Sequence, residues 1–163
     1  MPRIVVADSG PLIALALIDL LTILPKLFSG AYIPDAVADE TIENPEKPGA
    51  LAIADALKDG ILQQRFIKLD SDLEELSNLL DRGEAEAIAL AVEIGAVILI
   101  DDRRGRKVAA SRGIEITGTA AVLVSAKVNG HIDSVKPYLE TLSLSGYRLS
   151  QRLVDTVLEK CGE

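Results

Sequence analysis

The chain has no Trp, two Phe, three Tyr, one His, one Met and one Cys among 163 residues. Without aromatics to stack bases on, it is a poor platform for single strands. The core must therefore be built from Leu, Ile, Val and Ala. One cysteine, Cys161, excludes an intrachain disulfide and a thiolate zinc knuckle, fits a reducing cytoplasmic compartment, and is read as inert. Basic residues are also scarce: 17 Lys plus Arg stand against 25 Asp plus Glu, a net charge of −8. That balance disfavours a protein gripping nucleic acid with its whole surface, but leaves room for an enzyme meeting it at one local patch. Long apolar runs are missing too. The stretch at 12–18 is preceded by Asp8-Ser9-Gly10-Pro11 and closed by Asp19, so neither a targeting segment nor a membrane span is expected.

What is present is ample aliphatic material, with 48% hydrophobic and 26% charged residues, enough for one ordinary domain. Residues 4–7 form a β-branched run ending at Asp8, and 96–100 an apolar run ending at Asp101-Asp102; both suit strands buried on two faces. Further strands are expected at 31–33, at Phe66, Ile67 and Leu69, and at 114–116. Helical spacing is expected from Pro11 to 18, from a cap at Asp19 through 27, from Pro34 to about 43, and over 50–58. It is expected again from a cap at Asp70 through Leu80, and over 85–94, 107–111 and 119–128. The clearest loop is 44–49, with two prolines and a glycine. Two helices separated by 143–146 complete a tail from about 131, where His131 is read as part of a helix start; Leu139, Leu142, Leu149, Leu153, Val157 and Leu158 are expected to pack on the domain or on a second copy. Alternating strands and helices call for an α/β fold, a mainly parallel sheet with helices on both faces, in one domain over 1–163.

In such a sheet, functional groups gather beyond the carboxyl ends of the strands. Asp8 and Asp101-Asp102 stand there. Glu40 follows the second strand, and Glu84 and Glu86 open the helix leading into the 96–100 strand. Carboxylates converging without Cys or a nearby His are hard oxygen ligands suited to Mg²⁺ or Mn²⁺, whose charge offsets their mutual repulsion. Such a site invites phosphodiester chemistry. Beside it, Arg103, Arg104, Arg106 and Lys107 form a basic patch; between 101 and 112 there are five basic and two acidic residues. Gly105 within it allows a close approach of backbone to phosphate.

Each residue also has a plainer reading. Asp8 can cap the helix near Pro11, and one of Asp101 and Asp102 can cap the helix after them. Asp81-Arg82-Gly83-Glu84 has capping-box spacing, which assigns Glu84 to a helix terminus. Glu84 and Glu86, two apart, do not share a helix face, so Glu86 is the choice for direct metal contact and Glu84 for a supporting place. Glu40 and the basic run can be solvated surface.

Four segments, in this order and spacing, resemble the PIN-domain nucleases: Val5-Val6-Ala7-Asp8-Ser9-Gly10-Pro11-Leu12-Ile13, Ile33-Pro34 through Val37-Ala38-Asp39-Glu40, Arg82-Gly83-Glu84-Ala85-Glu86-Ala87-Ile88-Ala89-Leu90-Ala91, and Ile98-Leu99-Ile100-Asp101-Asp102-Arg103-Arg104-Gly105-Arg106-Lys107-Val108-Ala109. The prokaryotic branch with VapC-type toxins is the most similar. The resemblance implies a three-layer α/β/α sandwich and a Mg²⁺- or Mn²⁺-dependent endoribonuclease. Asp8, Glu40, Glu84, Glu86, Asp101 and Asp102 are then the metal acids, with Asp8, Glu40, Glu86 and Asp101 catalytic. Ser9 matches the small hydroxyl residue after the first acid and joins Arg103, Arg104, Arg106 and Lys107 on the substrate side. It further implies a homodimer and a small antitoxin partner. The sequence departs from the toxin pattern at Ile100, where a Thr or Ser two residues before the last acid is usual. The competing classes are a PIN-fold interaction module with little turnover, and a phosphatase with Asp8 as nucleophile; the latter wants an acid at position 10, which is Gly.

Overall fold

A computed structural model describes residues 3–68 and 71–163. Its first half runs β1 (Ile4–Ala7), α1 (Ser9–Leu17), a 3₁₀ turn (Leu21–Ile23), α2 (Leu24–Leu27), β2 (Gly30–Pro34), α3 (Asp35–Ile42), α4 (Ala50–Lys58) and β3 (Gln63–Arg65). The second half runs α5 (Ser71–Leu79), α6 (Arg82–Ile94), β4 (Val97–Leu99), α7 (Arg103–Ser111), β5 (Ile116–Thr117), α8 (Thr119–Val128), α9 (Lys136–Leu144) and α10 (Gln151–Lys160). All five strands are parallel, in the order β3-β2-β1-β4-β5.

This order has one consequence for function. From β1 the chain steps to β2 and β3 on one side, then returns to place β4 on the other. The β1–β4 boundary is therefore the point where strand order reverses, and a crevice opens beyond its carboxyl ends. The register aligns Val5, Val6 and Ala7 with Val97, Ile98 and Leu99, and the Asp8 amide donates to the Leu99 carbonyl at 2.9 Å. The acids that follow both strands thus begin side by side.

Val5, Val6 and Ala7 are all fully buried. Successive strand residues point to opposite faces, so β1 is covered on both, as a three-layer α/β/α arrangement requires. Helix α6 packs against β1, β2 and β4 and also against α3 and α5. Its termini are well defined: the Asp81 carboxylate accepts from the Glu84 amide at 2.9 Å, and Gly95 closes it in the left-handed region at φ 66°. In the tail, α9 packs on α1 and α10 on α8, and Val135, Leu139, Leu142 and Val157 join the main core. Leu149 and Leu158 pack partly buried against it, whereas Leu153 stays exposed. The Glu163 carboxylate accepts from the Ser134 hydroxyl, from the Val135 amide at 2.8 Å and from the Lys136 amide at 3.1 Å, and pairs with Lys127 at 3.0 Å. Those bonds hold its pKa down at about 2, the Ser134 hydrogen bond being the largest cause. Cys161 caps the end of α10, and its carbonyl accepts from Lys127 Nζ at 2.7 Å. Among the described residues, no single helix is long and apolar enough to cross a membrane.

Several expected boundaries move. Asp19 does not cap a helix; it sits at φ 55° after the end of α1, in the left-handed region that Asp tolerates, and α2 begins only at Leu24. The third strand is Gln63–Arg65 rather than 66–69, with Gln63, Gln64 and Arg65 registered on Tyr32, Ile33 and Pro34. It is an exposed edge strand held by its backbone, so its side chains carry no apolar signal, and Phe66 beyond it is 73% exposed. The fifth strand falls at Ile116–Thr117, and α7 starts at Arg103 because Asp102 caps it. His131 follows the end of α8, its amide donating to the Ala126 carbonyl, and α9 starts only at Lys136. The expectations for Leu69 and for a cap at Asp70 lie outside the described residues.

Candidate active site

Asp8 occupies the N-cap position of α1, yet its side chain makes no capping hydrogen bond to that helix. It is only 7% exposed, the one carboxylate buried so deeply among the described residues. Burial pushes its pKa up to about 7; the charges of Asp81, Glu40 and Asp102 push in the same direction, and a hydrogen bond from the Ser9 backbone partly offsets them. Glu84 is its counterpart from α6. Its pKa also rises to about 7, through burial first and then the charges of Asp81, Asp102 and Asp8.

These couplings define the site: Asp8 from the end of β1, Glu40 from α3, Asp81 and Glu84 from the start of α6, and Asp102 from the start of α7. Glu40 is aimed by Ser9, whose hydroxyl donates to Glu40 Oε2 at 2.6 Å. It lies against Gly83, where an added Cβ would run into the carboxylate. Gly83 therefore lets an acid from α3 approach the N-terminal turn of α6.

The structure separates the two paired candidates. Glu86 does not join the cluster. Its Oε1 accepts from the Ala36 amide at 3.1 Å and its Oε2 from Arg82 Nε at 2.9 Å, while Arg82 also reaches Asp39 at 3.2 Å. Glu86 thus satisfies an open amide in the first turn of α3 and braces α3 against α6. Two residues correspond to about 200° around a helix, which puts Glu84 and Glu86 on different faces. Glu84 is the α6 acid that faces Asp8.

Asp102 and Asp101 also divide their work. Asp102 is exposed, caps α7 through the Gly105 amide at 2.8 Å, and acts electrostatically on both Asp8 and Glu84. Asp101 is taken up by donors: the Thr119 amide at 2.8 Å, the Thr119 hydroxyl at 2.6 Å and the Tyr147 hydroxyl. The Tyr147 pKa is raised, chiefly by burial and next by the negative charge of Asp101, so the phenol remains a donor.

The basic patch is likewise divided. Arg103, Arg104 and Lys107 are exposed on α7 and make no ion pair among the described residues. Arg106 instead folds back, donating to the Ile100 carbonyl at 2.8 Å. Its guanidinium and the Asp101 carboxylate both crowd Gly118, where an added Cβ would lie 2.8 Å from Asp101 Oδ1 and 3.0 Å from Arg106. Gly105 serves as a capping amide for Asp102 rather than as an open phosphate seat.

Asp81, Thr119, Tyr147, Gly83 and Gly118 were not legible as site residues. Asp81 carried only a capping signal. Tyr147 lies 46 residues from Asp101, with nothing local to connect them.

Chemically, the cluster is a set of hard oxygen donors, with Asp8 and Glu84 pushed toward the neutral form chiefly by burial and next by the neighbouring acids. That donor set fits a divalent cation such as Mg²⁺ or Mn²⁺. As the side chains are arranged, however, no group of three or more His, Cys, Asp or Glu among the described residues is close enough to hold one ion. Fitting a cation requires the side chains to close on it.

A parallel sheet with acids at its switch point and a basic helix beside them defines an α/β protein with an acidic site beyond its central strands. The profile of the DUF3368 family, described as a PIN domain, matches residues 4–163, and the chain belongs to the PIN-domain family. PIN domains are generally nucleases and typically use divalent metals. No curated protein matches the chain. Among solved structures, a domain of a functionally unknown protein from Methanocaldococcus jannaschii DSM 2661 is similar at 16% identity and a TM-score of 0.46, covering 71% of this chain and 90% of that one.

Proposed function

We propose that the chain is a divalent-metal-dependent endoribonuclease. The observation that carries this reading is the convergence of Asp8, Glu40, Asp81, Glu84 and Asp102 at the β1–β4 switch point, with the exposed cations of α7 alongside. Asp8, Glu84, Asp102 and Glu40 would hold Mg²⁺ or Mn²⁺. When bound, the ion supplies positive charge against phosphate oxygens and lowers the pKa of water. The protein's own part is positional. Ser9 aims Glu40, Asp81 keeps Glu84 at the helix terminus, and Arg103, Arg104 and Lys107 bind the RNA backbone beside the acids.

A toxin of a toxin–antitoxin pair, with a small antitoxin protein as partner, a homodimeric state and a cytoplasmic location, completes the proposal. Its support is the VapC-like resemblance and the lone cysteine. The alternative, an interaction module with little turnover, draws on one observation: the acids do not close into an ion-holding group as arranged.

Incubation of the protein with structured and unstructured RNA in Mg²⁺, Mn²⁺ or EDTA separates the two. Metal-dependent cleavage, lost in Asp8→Ala, is expected. Equal cleavage by wild type and Asp8→Ala, or none with any metal, would sink the nuclease reading. Absence of Mn²⁺ binding at millimolar concentration together with tight binding of a small protein would favour the module.

A further inference from the structure

We infer that Tyr147 is a positioning residue of the acid pocket: with Thr119 it pins Asp101, and the pinned Asp101 directs its neighbour Asp102 toward Asp8 and Glu84. The consequence for turnover rests on the nuclease reading; the pinning of Asp101 stands on geometry alone.

Asp101 receives three hydrogen bonds, none from its own loop. The Thr119 amide donates to Oδ1, and the hydroxyls of Thr119 and Tyr147 both donate to Oδ2. A carboxylate with one oxygen claimed by two hydroxyls and the other by an amide has little acceptor capacity left. Its role is to be held. Successive side chains of an extended segment point to opposite sides, so drawing Asp101 toward α8 and the tail turns Asp102 the other way. Asp102 is the one of the two whose charge reaches both Asp8 and Glu84. The same loop is fastened from another direction by Arg106, through the Ile100 carbonyl.

Tyr147 reaches this loop from the connection between α9 and α10. Its amide donates to the Leu142 carbonyl at 3.0 Å, which fixes the segment to the end of α9. Its hydroxyl would lie 3.7 Å from a Cβ added at Gly10, so it stands over the turn after Asp8 as well as against Asp101. The beginning of α9 is in turn clamped by Glu163. The C-terminal helices are therefore a wall of the site, and the Tyr147 hydroxyl joins that wall to the acid loop.

Tyr147→Phe removes that hydroxyl and keeps the ring. In metal-free protein, amide exchange at Gly105, which reports the Asp102 cap, is expected to accelerate while protection within α10 is unchanged. Mn²⁺ affinity measured by calorimetry and kcat for RNA are each expected to fall by about 10-fold, with KM for RNA unchanged. Thr119→Val, which leaves the tail intact, should move the same quantities in the same direction and covers the case in which Tyr147→Phe does not fold; Thr119→Ser should restore them. Wild-type exchange at Gly105 and wild-type Mn²⁺ affinity in a folded Tyr147→Phe, or in Thr119→Val if Tyr147→Phe does not fold, would overturn the inference. If wild type neither binds Mn²⁺ nor cleaves RNA, the nuclease reading falls and the exchange measurement still decides the role of Tyr147.

Discussion

Asp8, at the end of β1, adds its charge to the causes that raise the pKa of Glu84, at the start of α6; burial is the largest cause for each, and both stand near 7. Without a cation the pair is a liability for the fold at neutral pH. The native Asp8 binds its proton more tightly than the unfolded chain does, so its contribution to stability is full below the ordinary value of 3.8 and is lost as pH rises through about 7. Asp8→Asn is therefore expected to stabilise the metal-free protein at pH 8 by about 1–3 kcal/mol, and to give little gain near pH 3.5. Urea unfolding in EDTA at the two pH values checks this; equal stability of both proteins at pH 8 would refute it.

Glu84 and Glu86 give opposite expectations from neighbouring positions. Glu84→Gln removes a charge facing Asp8 and should lower RNA cleavage on the order of 100-fold, while leaving the metal-free fold intact or more stable. Glu86→Ala removes the brace between α3 and α6 and should lower the melting temperature while cleavage by the folded fraction persists. Parallel measurements of kcat and thermal unfolding distinguish them.

The glycines under the acids are tests of close approach. Gly118→Ala sets a methyl against Asp101 and Arg106 at separations below ordinary contact and should cost roughly 1–3 kcal/mol. Gly83→Ala instead forces Glu40 off the first turn of α6; a loss of Mn²⁺ affinity larger than the loss of stability is expected, and the reverse order would contradict the placement of Glu40.

The cations of α7 should behave differently from one another. Arg103→Ala, Arg104→Ala and Lys107→Ala are each expected to raise KM for RNA and to reduce the salt slope of binding by about 0.7 per lost phosphate contact. Arg106→Ala should lower stability, since it abandons the Ile100 carbonyl, with the salt slope retained. A fluorescence titration over a range of salt concentrations reads both.

Glu163 ties the chain end to the start of α9, and its pKa is held at about 2. The sign is opposite to that of Asp8: its stabilising contribution is present above the ordinary carboxylate value of 4.5 and is lost as pH falls through about 2. Glu163→Gln should speed amide exchange at Val135 and Lys136 at pH 7, and wild type should approach that behaviour only in strong acid.

The sequence determined much of this protein by local means. The runs at 4–7 and 96–100 place two buried parallel strands, because only a strand covered on both faces tolerates continuous β-branched residues. The acids following them fall at the carboxyl ends of β1 and β4, and Asp8, Glu40 and the Asp101-Asp102 pair could be picked out from order alone, without a choice within the pair. Edge strand β3 could not, since its pairing is carried by backbone groups that every residue possesses.

Tertiary structure decided the rest, and the reason is geometric. Whether Glu84 or Glu86 meets Asp8 depends on how α6 is rotated against the sheet, which the contacts of its whole buried face set. Whether Asp101 or Asp102 faces the cluster depends on Thr119 and Tyr147, two donors that arrive 18 and 46 residues later in the chain. The scarcity of aromatics was visible from the first. That one of the three tyrosines stands against the acid loop is a fact about how α9 and α10 return to the sheet, and no local pattern of residues encodes it.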